Sequence, residues 1–380
     1  MRAMRLTARQ LNRATLHRQL LLGRERMPVT DAVRRVTALQ AQEPASPYLA
    51  LWSRLEAFDP ADLDDAFATR QVVKATLMRG TLHAVHIADY PLYHAAMVRT
   101  LRQMRLGDPR FTKAGLSIPE ADALLPEVLA FTAVPRTRVE TEAWLAGRLP
   151  DGAAQPVFWA MRTYAPFHHA PVGGPWSHQP KAAFAAAPET LPADQRDAAT
   201  TGLARRYLEG FGPASAADLA RFTMLGQPVA REAIARLGEE VVTLLGPEGS
   251  PLVDLAGAAV PDDDTPAPAR LLPMWDSTLL AYADRSRMIP PAYRAAVTRV
   301  NGDVLPAVLV DGLVAGVWRP VEGGIEVTAF HRLDDAAWSE LASEAASLTR
   351  LLDARDPAAY RRYGHWWRTL PRAEVRVLPG

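Results

Sequence analysis

The sequence predicts an α+β protein in which helix-then-hairpin units of winged-helix type are followed by a small antiparallel barrel or sheet. Three observations predict it. Amphipathic helical patterns are followed, more than once, by a β-rich stretch that contains a turn. A linker rich in proline and aspartate, PDDDTPAP at residues 261–268, interrupts the chain. Beyond it, hairpin signals recur at short, regular spacing. At 380 residues the chain is too long for one hydrophobic core, so several compact units are expected.

In the first unit, residues 1–105, Val33, Val36 and Leu39 share one face of a helix over Asp31–Leu39, and Ser46–Phe58 and Pro60–Arg70 read as the second and third helices. Residues 72–87 then carry β-type residues broken at Arg79-Gly80, where glycine supplies a turn between two strands. Three helices and a hairpin make a winged helix. The second unit, 106–190, repeats the order with helices at Ile118–Thr132, Arg138–Leu149 and Val157–Arg162. Its wing is expected within residues 164–179 as a hairpin tipped by Val172-Gly173-Gly174, because paired glycines accept the positive φ of a tight turn. The third unit, 191–262, places Gly212-Pro213 before a helix at Ser215–Phe222, with Ser215 as N-cap and Asp218 three residues on. In the last unit, 269–380, turns at Asn301-Gly302, Asp311-Gly312 and Gly323-Gly324 punctuate a β-rich stretch, and a helix follows at Asp334–Leu352.

Composition narrows the chemistry. With 48% apolar and 22% charged residues the balance is that of an ordinary globular protein, not a disordered one. No run of 18 apolar residues and no charged-then-apolar leader occurs, so neither a membrane span nor a signal peptide is expected, and the location is read as cytoplasmic and nucleoid-associated. The chain has no cysteine, which excludes disulfides, thiolate catalysis and cysteine zinc sites. The net charge of +1 does not mark a nucleic-acid binder. Residues 1–35, however, are rich in arginine against only Glu25 and Asp31, and a local basic face binds phosphates even on a nearly neutral protein.

Gln40-Ala41-Gln42 is the sharpest feature. It falls where the first helix stops and before Pro44 and Pro47, which enforce extended backbone. In extended chain residues two apart share a side, so both carboxamides are expected to face one cleft while Ala41 packs inward. Spacing alone also fits a polar helix end facing solvent. Glu43 is the alternative base, although extended backbone points it away from the glutamines. Arg79, Thr81 and His83 alternate on the expected wing and share a face, which suits contact with phosphate and substrate or, equally, a solvated ribbon. His83 and His86 fall on opposite strand faces without a third ligand, so no metal is expected. Gly173 and Gly174, flanked by His168, His169, Trp176 and His178, fit a minor-groove probe, unless Trp176 packs the wing onto its own helices. In Asp284-Arg285-Ser286-Arg287, Arg285 and Arg287 suit phosphate binding, with Asp284 fixing one of them by an ion pair.

The order of LQAQ at residues 39–42, Leu51-Trp52, LMRGTLHAVHIADY at 77–90, FGPASAADL at 211–219, LLPMWDSTLLAYADRSRMI at 271–289 and VLVDGLVAGVWRP at 308–320 resembles the AlkZ/YcaQ-like winged-helix DNA glycosylases over most of the chain. That resemblance implies three tandem winged helices and a β-barrel forming a C-shaped DNA clamp, with Gln-x-Gln at the centre of its concave face. Glutamine rather than aspartate at position 42 matches the antibiotic self-resistance branch of the family. The activity implied is that of a monofunctional glycosylase that releases bulky N7-alkylguanine or N3-alkyladenine and unhooks interstrand crosslinks. It would act as a monomer on double-stranded DNA, without an obligate protein partner and without metal, nucleotide or redox cofactor. An alkylated purine already carries positive charge, so Gln40 and Gln42 need only hold the attacking water and steady the sugar cation. Two readings compete: a non-enzymatic winged-helix transcription regulator, and a protein that sequesters a genotoxin directly.

Overall fold

A computed structural model of the chain describes residues 4–179 and 182–379. The three expected helices of the first unit form at Val29–Arg35, Ser46–Trp52 and Pro60–Ala68. The last is started by Asp59, whose carboxylate accepts the Ala61 N–H at 2.9 Å, with Pro60 at the first helical position. The second helix is shorter than expected because the chain turns back after Trp52, with Ala57 in the left-handed region at φ 49°. Ser215 caps the helix Ala216–Thr223 in a reciprocal box with Asp218, as the spacing predicts. The N-terminal helix Ala8–Arg18 and the long helices Tyr90–Leu106 and Arg196–Phe211 were not expected from the pattern.

Strands β1 (Leu39–Gln40), β2 (Val72–Thr76), β3 (Leu82–His86), β4 (Arg136–Thr137), β5 (Phe167–Ala170) and β6 (Ala183–Ala186) form one antiparallel sheet in the order β1-β3-β2-β5-β6-β4. The β2–β3 hairpin turns at Arg79-Gly80 as expected. The second wing differs from expectation. Val172-Gly173-Gly174 does form a turn, with Gly173 and Gly174 at φ 77° and 100°, but β5 does not return at residues 175–179. Its partner is β6, further along the chain, and residues 171–179 are an excursion that packs against the first unit. The two wings join through one residue pair, Lys74 on β2 and His169 on β5. A separate hairpin, β7 (Val241–Leu245) with β8 (Pro251–Leu255), follows the helices of residues 196–235.

The C-terminal unit is an antiparallel sheet of β9 (Arg270–Leu271), β10 (Ala307–Val310), β11 (Leu313–Val321), β12 (Gly324–Ala329) and β13 (Glu374–Pro379), in the order β13-β12-β11-β10-β9. The turns at Asp311-Gly312 and Gly323-Gly324 lie where the sequence puts them. The expected barrel is corrected to an open sheet: among the described residues β9 and β13 do not pair. The physical reason is that β9 is only two residues long and the helix Asp335–Arg355 packs against β9, β12 and β13, covering the apolar face without closure.

Two large cores cross the sequence segments. One joins the helices of residues 29–68 to the C-terminal sheet, with Trp318, Trp338 and Trp367 at its centre. The other joins the inward face of the β2–β3 hairpin, through Val73, Ala75 and Val85, to the helices of residues 90–235. Buried ion pairs tie these segments together. Arg54 donates to both carboxylate oxygens of Asp276 at 2.9 and 3.0 Å, and Arg18 does the same to Asp254 at 2.8 and 2.6 Å. Removing one partner of a buried pair leaves the other charge uncompensated, at a cost of about 3–5 kcal/mol. Asp276→Ala is therefore expected to lower the denaturation midpoint sharply, and a joint Arg54→Met, Asp276→Leu replacement to recover much of that loss. Urea titration checks both.

Candidate functional site

The Gln-x-Gln segment is shaped by the end of the helix Val29–Arg35. Thr37 takes a left-handed φ of 73°, its hydroxyl donates to the Arg206 carbonyl at 2.8 Å, and the chain leaves as β1. Gln40 lies opposite His83 of β3, and Ala41 N–H donates to the Leu82 carbonyl at 2.7 Å. Ala41 is buried, as expected. Past it the backbone turns, with Ser46 N–H on the Glu43 carbonyl at 3.1 Å, so the extended stretch is shorter than the prolines suggest.

The two amides therefore sit in different surroundings. Gln40 is 5% exposed, and its Oε1 accepts a 2.6 Å hydrogen bond from Arg79 Nη2. Gln42 is exposed and lines a cleft of about 330 Å³. Arg79 occupies the wing turn at φ 57° and folds inward, donating also to the Phe222 carbonyl at 3.1 Å and lying over the Phe222 ring. His83 Nδ1 donates to the Thr81 carbonyl at 3.1 Å, which leaves Nε2 as an acceptor facing Arg79 Nη2 at 3.4 Å. Burial, with Arg285 and Arg221 nearby, pushes the Arg79 guanidinium down to about 9, still charged at neutral pH. Burial and the Arg79 charge push His83 down to about 3, so its imidazole is neutral.

The cleft beside Gln42 is rich in donors and poor in acids. Lys74, Arg105 and Arg162 line it, with the hydroxyls of Thr76, Thr81 and Thr163 and the ring of His169. Among the described residues none of these three cations has a carboxylate partner within ion-pair distance. Glu43 lines the same cleft, which corrects the expectation that it points away: the turn after Ala41 rotates it round. It is engaged by Arg362 and accepts from the Tyr363 hydroxyl at 3.0 Å.

Other expected site residues are distributed unevenly. Thr81 and His169 reach the cleft, and Thr81 also donates to the Met78 carbonyl at 3.0 Å. Gly173 and Gly174 form an exposed turn. Trp176 is turned inward, 5% exposed, against Tyr48 and with its indole N–H on Asp356 at 3.1 Å, so it fastens the excursion to the first and last units rather than to its own helices. His168 is buried edge-on to Tyr90 and His178 edge-on to Phe67. Arg285 donates to Thr298 at 2.9 Å, and burial with Arg294 and Arg221 nearby pushes it down to about 10. Arg287 stacks on Tyr282 and donates to the Pro213 carbonyl at 2.9 Å. The expected Asp284 ion pair is corrected: its carboxylate caps the Ser286 N–H at 2.9 Å and hydroxyl at 2.7 Å. The N-terminal arginines expected to form a basic face are largely paired internally, Arg9 and Arg13 with Asp311, Arg18 with Asp254 and Arg24 with Glu344.

Lys74, Arg105 and Arg162 were not singled out by sequence reasoning. One signal was available for Lys74: it is one of three lysines in a chain with 43 basic residues, and it interrupts an apolar strand.

Residues 33–351 match the model of a family described as DNA glycosylase AlkZ-like. An interstrand DNA cross-link repair glycosylase of Streptomyces sahachiroi is 28% identical over 378 residues, which cover 91% of this chain and 97% of that protein. The solved structure of the Streptomyces sahachiroi DNA glycosylase AlkZ aligns with a TM-score of 0.77 at 23% identity, over 92% of this chain and 97% of that one, and so shares the fold.

Burial holds His83, His168 and His178 well below the ordinary histidine value of 6.5, each at about 3, with Arg79, Arg70 and Lys74 respectively adding to the effect. Groups whose folded pKa is depressed bind fewer protons than the unfolded chain. Their contribution is complete above about pH 6.5 and is lost as pH falls from there towards about 3. The melting temperature is expected to be flat near neutrality and to fall steadily below about pH 6. Thermal scans across that range check it, and replacing His178 by Phe should make the slope shallower.

Proposed function

The chain belongs to the AlkZ-like DNA glycosylases, and we propose that it hydrolyses the N-glycosidic bond of bulky N7-alkylguanine or N3-alkyladenine in double-stranded DNA, interstrand crosslinks included, in the service of self-resistance to a genotoxic natural product. The observation that carries this reading is Gln42 at the wall of a donor-rich cleft, with Gln40 braced behind it by Arg79. The relative from Streptomyces sahachiroi, described as an interstrand DNA cross-link repair glycosylase, supports the choice of lesion. Membership of a glycosylase family replaces the transcription-regulator alternative.

In this reading residues 1–105, 106–190 and 191–262 act as three winged-helix units and residues 269–380 as the sheet domain that backs the first of them. The monomer meets the duplex without a protein partner. Cations lie near both amides: Lys74, Arg105 and Arg162 line the cleft with Gln42, and Arg79, which holds Gln40, has Arg221 and Arg285 nearby. Such an arrangement suits two stretches of phosphate backbone on either side of one sugar.

The alkylated base leaves as a neutral molecule, so no strong acid is required. The Gln42 carbonyl accepts a hydrogen bond from the attacking water and orients it towards C1′; as the C1′–O bond forms and the C1′–N bond to the base breaks, the water's surplus proton passes to solvent. Gln40, buried and held by Arg79 through Oε1, does not line that cleft, so in this reading it braces the strand that presents Gln42. Glu43, engaged by Arg362 and Tyr363, acts as a fixed negative charge near the sugar cation rather than as the base.

Gln42→Ala and Gln40→Ala are expected to lower the single-turnover excision rate on the order of a hundredfold or more while affinity for adducted duplex changes little. Arg79→Met should lower the rate in the same way, because the Gln40 amide is then free to rotate. Single-turnover release of N7-methylguanine and of a bulky adduct, followed by alkali cleavage, measures this. Full turnover by Gln42→Ala would remove the amide mechanism.

A further inference from the structure

Lys74 stands in the middle of β2, paired across the sheet with Ala84 of β3 and His169 of β5. Its neighbours Val73 and Ala75 enter the apolar core, so Lys74 and Thr76 take the opposite face and line the cleft. The residue is only 4% exposed, yet among the described residues its ammonium has neither a hydrogen-bond acceptor nor an ion-pair partner. Arg105, Arg162 and His169 share the cleft, and its one carboxylate, Glu43, is held by Arg362 and Tyr363.

A nearly buried cation at the wall of a cleft, without a described counter-charge, costs stability, and a Met or Leu of similar reach would pack there without that penalty. Desolvation alone lowers the Lys74 amine to about 8. Among the described residues, the charged side chains of the cleft other than the engaged Glu43 are cationic and the rest are hydroxyls, amides, a neutral imidazole or apolar groups, so an anion with several acceptor oxygens complements the site. A phosphodiester has both. Resting on the glycosylase reading above, we propose that Lys74 is the anchor for one phosphodiester of the lesion strand, gripped with Thr76 beside Gln42 so that the adjoining sugar is presented to the amides. Lys74 touches the backbone and not the reacting atoms; it is a positioning residue.

The test uses the full chain and a duplex with a tetrahydrofuran abasic analogue, so that no excision is needed. One methylphosphonate at a time replaces the phosphates around the analogue on either strand, and affinity is read by fluorescence anisotropy for wild type, Lys74→Met and Lys74→Arg. For wild type, one position on the analogue strand should weaken binding about tenfold, the size of a single charge-assisted contact. Lys74→Met should show the same loss on the unmodified duplex and no further loss at that position, and Lys74→Arg should recover most of it. Lys74→Met should also melt at or above the wild-type temperature, because an uncompensated buried charge is gone. Additive losses at every position, wild-type affinity in Lys74→Met, or a sensitive phosphate confined to the opposite strand would overturn the assignment. Failure of wild type to bind any of the duplexes would instead remove the glycosylase reading beneath it.

Discussion

The inward fold of Arg79 is the interaction on which the site depends. A non-glycine residue in the left-handed region costs on the order of 1–3 kcal/mol, and here the strain is held by three attachments: Gln40 Oε1, the Phe222 carbonyl and the Phe222 ring. Those attachments belong to β1 and the helix Ala216–Thr223, and Arg79 itself to the β2–β3 turn, so one side chain fixes the mutual position of all three. Gly80, at φ 65°, completes the turn, and a Cβ there would meet the Met104 side chain at 2.6 Å. β1 lies at the edge of its sheet, and the Gln40 amide is held from behind by a cation that, among the described residues, has no carboxylate within ion-pair distance.

Local chemistry was legible in the sequence and distant pairing was not. The hairpin at Arg79-Gly80, the Ser215–Asp218 cap and the turns at Asp311-Gly312 and Gly323-Gly324 are each set by adjacent residues, and each is where the sequence puts it. The fusion of two wings into one sheet rests on Lys74 meeting His169, a pairing that no local pattern announces. The same holds for Trp176, whose neighbours in the fold are Tyr48 and Asp356. Closure of the last sheet failed for a related reason: hairpin spacing counts strands but says nothing of whether the first and last meet, and a helix of 21 residues already covers the face.

Arginine-rich segments serve two physical ends. An arginine cluster in sequence looks like a phosphate-binding face, but guanidinium groups also form good buried forks on carboxylates, and the N-terminal helix uses Arg9, Arg13 and Arg18 to fasten the linker and the last two units. The family resemblance located the glutamines, yet whether they share one wall depends on how far the extended stretch runs. It ends at Ala41, one residue sooner than the prolines imply, which separates the two amides into one braced and one exposed.

Binding sites for anions are marked less by the number of cations than by cations without partners. Of the basic residues around Gln42, Arg362 is paired with Glu43, whereas Lys74, Arg105 and Arg162 have no described carboxylate within ion-pair distance, although Asp108 lies near Arg105 and Glu142 near Arg162. Lys74 is the buried one of the three, and burial without a described counter-charge carries a penalty that the half-buried Arg105 and Arg162 bear less. A cleft lined by these cations and by hydroxyls is suited to an anion. In the proposed reading the phosphodiester backbone of DNA supplies the complementary negative charge at this cleft.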